Sequence, residues 1–304
     1  MKTPINKGNM LLVANPKSGI CKVKDILLDL LTIFTKAGYT VTVYPTRKSG
    51  TPEYLKEHAK NYSAVVCCGG DGTLSEVLRG VCESKSGTPV GYIPMGSTND
   101  FAKSLGISKN PKSAAMSIIN GTVMPYDLGS INGRCFSYIA AVGAFTGASY
   151  SAPQRLKNSL GHFAYILEGT KYLTKIKPFE MKVSFNGKKF KDEFIYASVS
   201  NTTSVAGLVR LNRDEVCFDD GTFELVLVRK PRNLKEAAEL ITALLSNKLE
   251  CSCIKLFHTS EVNMQFDKEP CFTIDGEKLE AQKEVTVKNH TRAVNLVVPK
   301  RRFI

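Results

Sequence analysis

Apolar residues in the first part of the chain alternate between two patterns. An unbroken run, Met10–Ala14, is followed by Val23, Ile26, Leu27, Leu30, Leu31 and Phe34 at spacings of one, three and four residues. The run predicts a buried strand, and the spaced set predicts one apolar face of a helix. The alternation repeats. Strand signals at Thr40–Tyr44, Ala64–Cys68 and Val90–Pro94 are separated by helical patterns that open at Thr51-Pro52, run along Leu74, Val77, Leu78 and Val81, and cover Pro111–Asn120. Thr51 reads as a cap with a first-turn proline behind it, and Gly38 as the stop of the first helix. Strands alternating with helices over short connections predict a mostly parallel sheet with both faces covered.

From residue 127 the pattern changes. Met181–Phe185 and Lys188–Phe190 flank Asn186-Gly187, a pair suited to the type I′ turn of a hairpin. Phe194–Ser200, Thr222–Arg229, Val262–Phe266, Phe272–Asp275, Glu284–Lys288 and Ala293–Val298 also read as strands, interrupted by helical stretches at Arg155–Thr174 and Asn233–Ser246. The expected fold is therefore an α/β N-terminal domain with a mostly parallel sheet, residues 1–126, and a β-rich, antiparallel, sandwich-like C-terminal domain, residues 127–304.

Composition excludes several classes. Of 304 residues, 43% are hydrophobic and 23% charged, which rules out a disordered, collagen-like or coiled-coil chain. The nine cysteines contain no C-x-x-C pair, so neither a zinc ribbon nor a thioredoxin-type motif can form, and free thiols in a reducing cytoplasm are expected. The apolar run at Met10 is too short for a signal peptide, and no stretch is apolar enough to span a bilayer, so a soluble cytoplasmic protein is expected. The net charge of +13 is spread as +7 over residues 1–126 and +6 over residues 127–304, so there is no basic arm. Such a surface suits peripheral contact with an anionic membrane; no nucleic-acid motif is present. His58, His162, His258 and His290 share no metal-ligand spacing.

Candidate chemistry lies in loops after the predicted strands. Gly69-Gly70-Asp71-Gly72-Thr73 stands between a buried strand and a helix, where backbone amides and a helix N-terminus can face an anion with no Cβ in the way. Asn15-Pro16-Lys17-Ser18-Gly19 follows the first strand and Gly96-Ser97-Thr98-Asn99-Asp100-Phe101-Ala102 the fourth. Each alone fits ordinary helix capping. In an open α/β sheet, however, the carboxyl ends of parallel strands share one edge, so the three loops are expected to converge on a nucleotide site.

These three motifs, with Asp220-Gly221 and Asp275-Gly276-Glu277 further on, resemble the diacylglycerol kinase catalytic-domain family. That family includes the bacterial soluble lipid kinases and, more distantly, sphingosine kinases, within an NAD-kinase-like superfamily. The resemblance runs nearly end to end and implies two domains with the active site in the cleft between them. It implies an ATP-dependent kinase for the hydroxyl of a lipid alcohol such as diacylglycerol. ATP contacts are implied at Asn15, Pro16, Lys17, Ser18, Gly19, Thr46, Gly69, Gly70, Asp71, Gly72, Thr73, Leu74, Ser75 and Ser97. Ser75 departs from the asparagine common in relatives, keeping a hydroxyl and losing an amide.

The resemblance assigns Glu277 the general-base role, with Asp275 as a metal or base partner; alone, Asp275-Gly276-Glu277 is the usual composition of a hairpin turn. It also implies a structural Mg²⁺ held by the Asp220 carboxylate and the backbone carbonyls of Cys217 and Thr222. Tyr138, Phe145, Phe163, Tyr165 and Tyr172 are candidates for an acyl-chain pocket, although ordinary core packing is the simpler reading for any one of them. The expected partners are the lipid substrate, an anionic membrane surface and a second copy of the chain. Two other functions fit parts of the pattern: an NAD-kinase-like nucleotide kinase, which shares Gly-Gly-Asp-Gly-Thr, and a non-catalytic nucleotide- or lipid-binding regulator.

Overall fold

A computed structural model of the chain describes residues 7–18, 23–47, 49–97, 99–144, 173, 175–202, 204–205, 209–210, 217–246, 251–280 and 282–300. It divides into two compact units. The first takes the chain up to Leu128, Phe218–Asp220 and the chain from His290 on; the second takes Gly129–Cys217 and Gly221–Asn289. The sequence pattern suggested two consecutive stretches instead. The difference arises because one long C-terminal strand is divided between the units.

In the first unit the order is β1 (Asn9–Ala14), α1 (Val23–Lys36), β2 (Thr40–Pro45), α2 (Thr51–His58), β3 (Ala64–Gly69), α3 (Asp71–Ser84), β4 (Val90–Pro94), α4 (Asp100–Leu105) and α5 (Pro111–Asn120). β1 lies between β2 and β3, and β3 pairs with β4, all parallel as the alternating pattern requires. β3 and β4 are buried along their whole length, which is why they read as unbroken apolar runs. α1 turns Val23, Leu30 and Phe34 inward, three positions of its predicted apolar face. Asn110 caps α5, its Oδ1 accepting the Ser113 amide at 3.0 Å. At α2 the cap is Gly50, in a left-handed conformation, and Thr51 is already helical and fully buried.

Strand β5 (Thr122–Ile131) leads into the second unit, which continues with β6 (Arg134–Phe136), β7 (Ile139–Gly143), β8 (Phe179–Phe185), β9 (Lys188–Ser200), β10 (Ser204–Val205), β11 (Val209–Arg210), β12 (Phe223–Arg229), α6 (Leu234–Ser246), β13 (Ile254–Thr259), β14 (Glu261–Phe266), β15 (Phe272–Ile274), β16 (Glu277–Lys278) and β17 (Glu284–Val298). Its pairings are antiparallel: β7, β8 and β12 all pair with β9, β8 with β14, and β14 with β17. β9 is one strand where two were expected, and β17 joins two predicted strands through Asn289–Arg292. β13 was not anticipated. Met181, Val183, Phe223, Leu225, Met264 and Phe272 belong to a single buried core in this unit. The predicted helix at 155–174 lies outside the described residues, apart from Leu173, which is helical and buried. Among the described residues no helix is long and apolar enough to cross a membrane.

Gly80 marks where α3 meets α2. A Cβ there would sit 2.6 Å from the Pro52 carbonyl oxygen and 2.7 Å from Leu55 Cβ. Glycine-to-alanine in a helix interior normally gains about 0.5–1 kcal/mol. Here Gly80→Ala should instead lose about 1–3 kcal/mol through overpacking, read as a lower urea midpoint. A midpoint at or above that of the parent would contradict the close packing of α2 and α3.

Candidate active site

The first unit brings its three glycine-containing loops together. After β1, the Asn15 amide nitrogen donates to Thr73 Oγ1 at 2.8 Å, while its Oδ1 accepts the Lys17 amide at 2.9 Å. The Gly70 amide donates to Ser18 Oγ at 3.2 Å. The loop after β1 is thereby fastened to the loop after β3. The loops after β3 and β4 meet through bare backbone: a Cβ on Gly96 would lie 2.9 Å from Gly70 Cα and 2.8 Å from Asn99 Oδ1. Asn99, in a left-handed conformation, closes that last loop by accepting the Gly96 amide at 2.9 Å and donating to the Gly96 carbonyl at 2.7 Å.

Gly70 caps α3 with no side chain, so the first-turn amides of this helix receive no acceptor from the cap. Such a helix start, beside two further polar loops, suits a phosphate group. Lys17 and Ser97 are exposed at this edge, and Thr46 follows β2 with its amide bonded to the Ala14 carbonyl at 2.8 Å. Leu74 is placed differently: its side chain is fully buried in the core and its amide bonds to the Gly70 carbonyl. Gly19 lies outside the described residues.

Asp71 has a role the sequence did not reveal. Its Oδ2 accepts the Asp100 amide at 3.1 Å, at the start of α4, and its Oδ1 accepts the Tyr92 hydroxyl at 3.3 Å. The carboxylate thus joins the start of α3 to the start of α4. Burial raises its pKa above the usual carboxylate value, while the hydrogen bonds from Asp100 and Tyr92 pull the other way. Cys68, at the end of β3 just below the glycine loop, is a buried thiol whose pKa burial pushes up to about 12. It is therefore inert at neutral pH.

In the second unit, two hairpins hold the candidate base. Asn132-Gly133 turns β5 into β6, and Asp275-Gly276 turns β15 into β16, with positive φ at all four residues. The Asp275 carboxylate is spent on structure. Oδ2 accepts the amide and hydroxyl of Ser137 at 2.6 and 2.7 Å, and Oδ1 accepts the amides of Tyr138 and Ile139 at 3.0 and 3.2 Å. A buried carboxylate with four donors clamps the 137–139 loop, a part its sequence context did not announce. Glu277 projects from the same hairpin with 58% of its side chain exposed, and its Oε2 lies 3.2 Å from Arg134 Nη2. Arg134 carried no signal in the sequence, although Asn132-Gly133 marked the hairpin that presents it.

The turn at 217–222 offers hard oxygens. The side chain of Asp220 is exposed, and the Thr222 carbonyl accepts from Asn289 Nδ2 at 3.2 Å. Among the described residues no group of three His, Cys, Asp or Glu side chains could hold a metal ion. A cation at this turn would therefore rest on one carboxylate, backbone carbonyls and water, a donor set that Mg²⁺ accepts. Tyr138 is described and half-buried; the other aromatic residues proposed for an acyl pocket lie outside the described residues.

Residues 9–131 match the model of the diacylglycerol kinase catalytic domain. The chain is 33% identical over 270 residues to a diacylglycerol kinase of Bacillus subtilis (strain 168), covering 88% of each protein. It is 36% identical over 233 residues to a diacylglycerol kinase of Staphylococcus aureus (strain bovine RF122 / ET3-1), covering 76% of this chain and 73% of that one. In fold it is similar to a solved structure of a diacylglycerol kinase from Bacillus anthracis str. Sterne, with a TM-score of 0.73 at 20% identity over 96% of this chain and 97% of that one. Another structure from the same organism superposes with a TM-score of 0.78 at 23% identity over 98% and 99% of the two chains.

The two fastening carboxylates should show themselves in stability measurements. Asp275→Asn replaces an acceptor with a donor facing backbone amides and should cost about 1.5–3 kcal/mol in urea unfolding; an unchanged midpoint would dissolve the clamp. Asp71 carries a pH signature. With its folded-state pKa raised, the folded chain holds a proton that the unfolded chain releases between the ordinary carboxylate value and the raised one. Its contribution to stability is thus highest below that window and falls as pH rises through it. Asp71→Asn should remove this slope from a plot of urea midpoint against pH; a persisting slope would assign it to another group.

Proposed function

The chain belongs to the diacylglycerol kinase catalytic-domain family, and from that premise we propose that it transfers the γ-phosphoryl group of ATP to the free hydroxyl of diacylglycerol. The observation that carries this reading is the convergence of the loops after β1, β3 and β4, fastened by the Asn15–Thr73, Ser18–Gly70 and Asp71–Asp100 hydrogen bonds. Polyphosphate fits there because amides and hydroxyls from several loops face one edge, backed by the start of α3. Asn15, Pro16, Lys17, Ser18, Thr46, Gly69–Thr73, Ser75 and Ser97 are the proposed ATP-contacting positions, with Lys17 a flexible positive charge for the phosphates. Leu74 serves as core beneath them.

Glu277 is the proposed general base. It is solvent-accessible, lies on a hairpin fixed by the Asp275 clamp, and is steered by Arg134, so its carboxylate can take the proton of an acceptor alcohol as the phosphoryl group arrives. The chain's part in phosphoryl transfer is mainly positioning and charge stabilisation, which these fixed loops provide. Asp220, with the carbonyls of Cys217 and Thr222, is the proposed Mg²⁺ site. A cation bound there would supply positive charge that orders the 217–222 turn. The acceptor resides in a bilayer, so the enzyme works at a membrane surface.

The test is turnover of diacylglycerol with labelled ATP. Glu277→Gln keeps size and hydrogen bonding but cannot accept a proton, so kcat should fall about 10²–10⁴-fold with little change in KM for ATP. A fall of less than tenfold would remove Glu277 from the general-base role. Absence of turnover by the parent protein on diacylglycerol in mixed micelles would remove the substrate assignment.

A further inference from the structure

Two hairpins of the second unit bring an arginine and the candidate base together, and each is fixed by its own bonds. On the β5–β6 side, Asn132 fastens the turn to the start of β17. Its amide donates to the Thr286 carbonyl at 2.9 Å, and its Oδ1 accepts the Thr286 amide at 2.7 Å. Its Nδ2 donates to the Glu284 carbonyl at 2.9 Å and to Gln282 Oε1. Behind the turn, the buried Phe136 ring fills the space over Gly129, where no Cβ would fit. Arg134 therefore stands on a hairpin held at both tip and base.

On the β15–β16 side, the Asp275 carboxylate takes its four hydrogen bonds, and its amide donates to the Ile139 carbonyl at 3.0 Å. An exposed ion pair is too weak to hold two hairpins together. The scaffolds therefore impose the 3.2 Å separation of Arg134 Nη2 and Glu277 Oε2. Among the described residues Arg134 is the one cation within ion-pair distance of Glu277.

A guanidinium offers five N–H donors. Glu277 occupies Nη2 alone, and among the described residues Arg134 has no other hydrogen-bond partner. Its side chain is 42% exposed, so most of the fork is open beside the base. Transfer delivers a ligand to that place. The O–H bond of the acceptor breaks, its proton goes to Glu277, and the same oxygen bonds the γ-phosphorus. The bond from that phosphorus to the ADP oxygen breaks, and its electron pair leaves with ADP. The phosphoryl group thus ends on the atom that had been hydrogen-bonded to Glu277. Charge shifts in step. Glu277 becomes neutral and loosens its hold on Arg134, while the new phosphomonoester carries about −1.5 to −2 charges. A guanidinium fork matches such oxygens two at a time.

We propose that Arg134 changes partner during turnover: it orients Glu277 before transfer and binds the phosphoryl group on the acceptor oxygen afterwards. Its ligand is the lipid phosphomonoester; the phosphates of the nucleotide are not its target. The proposal deepens the kinase reading and rests on Glu277 as the base.

The experiment titrates the full chain with dihexanoyl phosphatidate, dihexanoylglycerol and ATP by calorimetry. Arg134→Gln should bind dihexanoyl phosphatidate about 10–100-fold more weakly, the loss of hydrogen bonds to a charged group. Its affinities for dihexanoylglycerol and for ATP should match those of the parent. Unchanged phosphatidate binding would overturn the proposal. So would an equal loss with dihexanoylglycerol, which marks a general lipid contact, or with ATP, which assigns Arg134 to the nucleotide. The phosphatidate loss should persist when the same change is made in Glu277→Gln. Its disappearance there would leave Arg134 acting only through Glu277, against the proposal. The urea midpoint of Arg134→Gln should match that of the parent, and a large fall would make the pair a structural fastener instead. Turnover is measured in parallel. A parental kcat in Glu277→Gln would remove the base reading, an outcome distinct from every binding result.

Discussion

The contact between the Gly70 and Gly96 backbones is the constraint on which the loop edge of the first unit depends. Two strand-to-helix loops approach until no side chain fits between them: a Cβ on Gly96 would come within 2.9 Å of Gly70 Cα. This approach leaves the start of α3 open and sets the loop after β4 beside it. Asp71 then acts across the gap, its carboxylate reaching the Asp100 amide that opens α4. From the other side, Asn15 and Ser18 bond to Thr73 and Gly70. The edge is therefore rigid, and a polyphosphate bound there would leave little to be ordered.

The second unit solves a similar problem with another buried carboxylate. Asp275 gathers the amide and hydroxyl of Ser137 and the amides of Tyr138 and Ile139, so the turn that carries Glu277 cannot drift from the 137–139 loop. In both units the acid in the glycine motif fastens backbone from a distant part of the chain. The adjacent residues of Asp275-Gly276-Glu277 divide the work. One is buried at the turn and holds it, and the other is exposed on the following strand and held only by Arg134. An exposed ion pair of this kind adds little stability. Its effect is to orient the Glu277 carboxylate on its hairpin. Phe190 and Phe257 close the core of the second unit while lysine stems cover their outer faces.

Periodicity alone determined the alternating elements of the first unit, because β3 and β4 are buried on both faces and α1 on one, and burial writes itself into apolar spacing. The glycine loops were legible for a similar reason, since a turn that tolerates no Cβ must be built of glycine. Less local features were not legible. β13, Ile254–Thr259, does not alternate cleanly, because exposed Lys255 shares a face with Phe257, which packs on the core. β17 looked like two strands because exposed polar residues interrupt it between the segments that serve different units. The short helix α4 was hidden inside the Gly96–Ala102 motif, since its start depends on Asp71, twenty-nine residues away. The roles of Asp71 and Asp275 were invisible for the same reason. A carboxylate in a Gly-Asp-Gly or Asp-Gly-Glu run can serve a ligand or a backbone equally well. Only the tertiary structure, by bringing distant amides within hydrogen-bond reach, showed that both hold backbone in place.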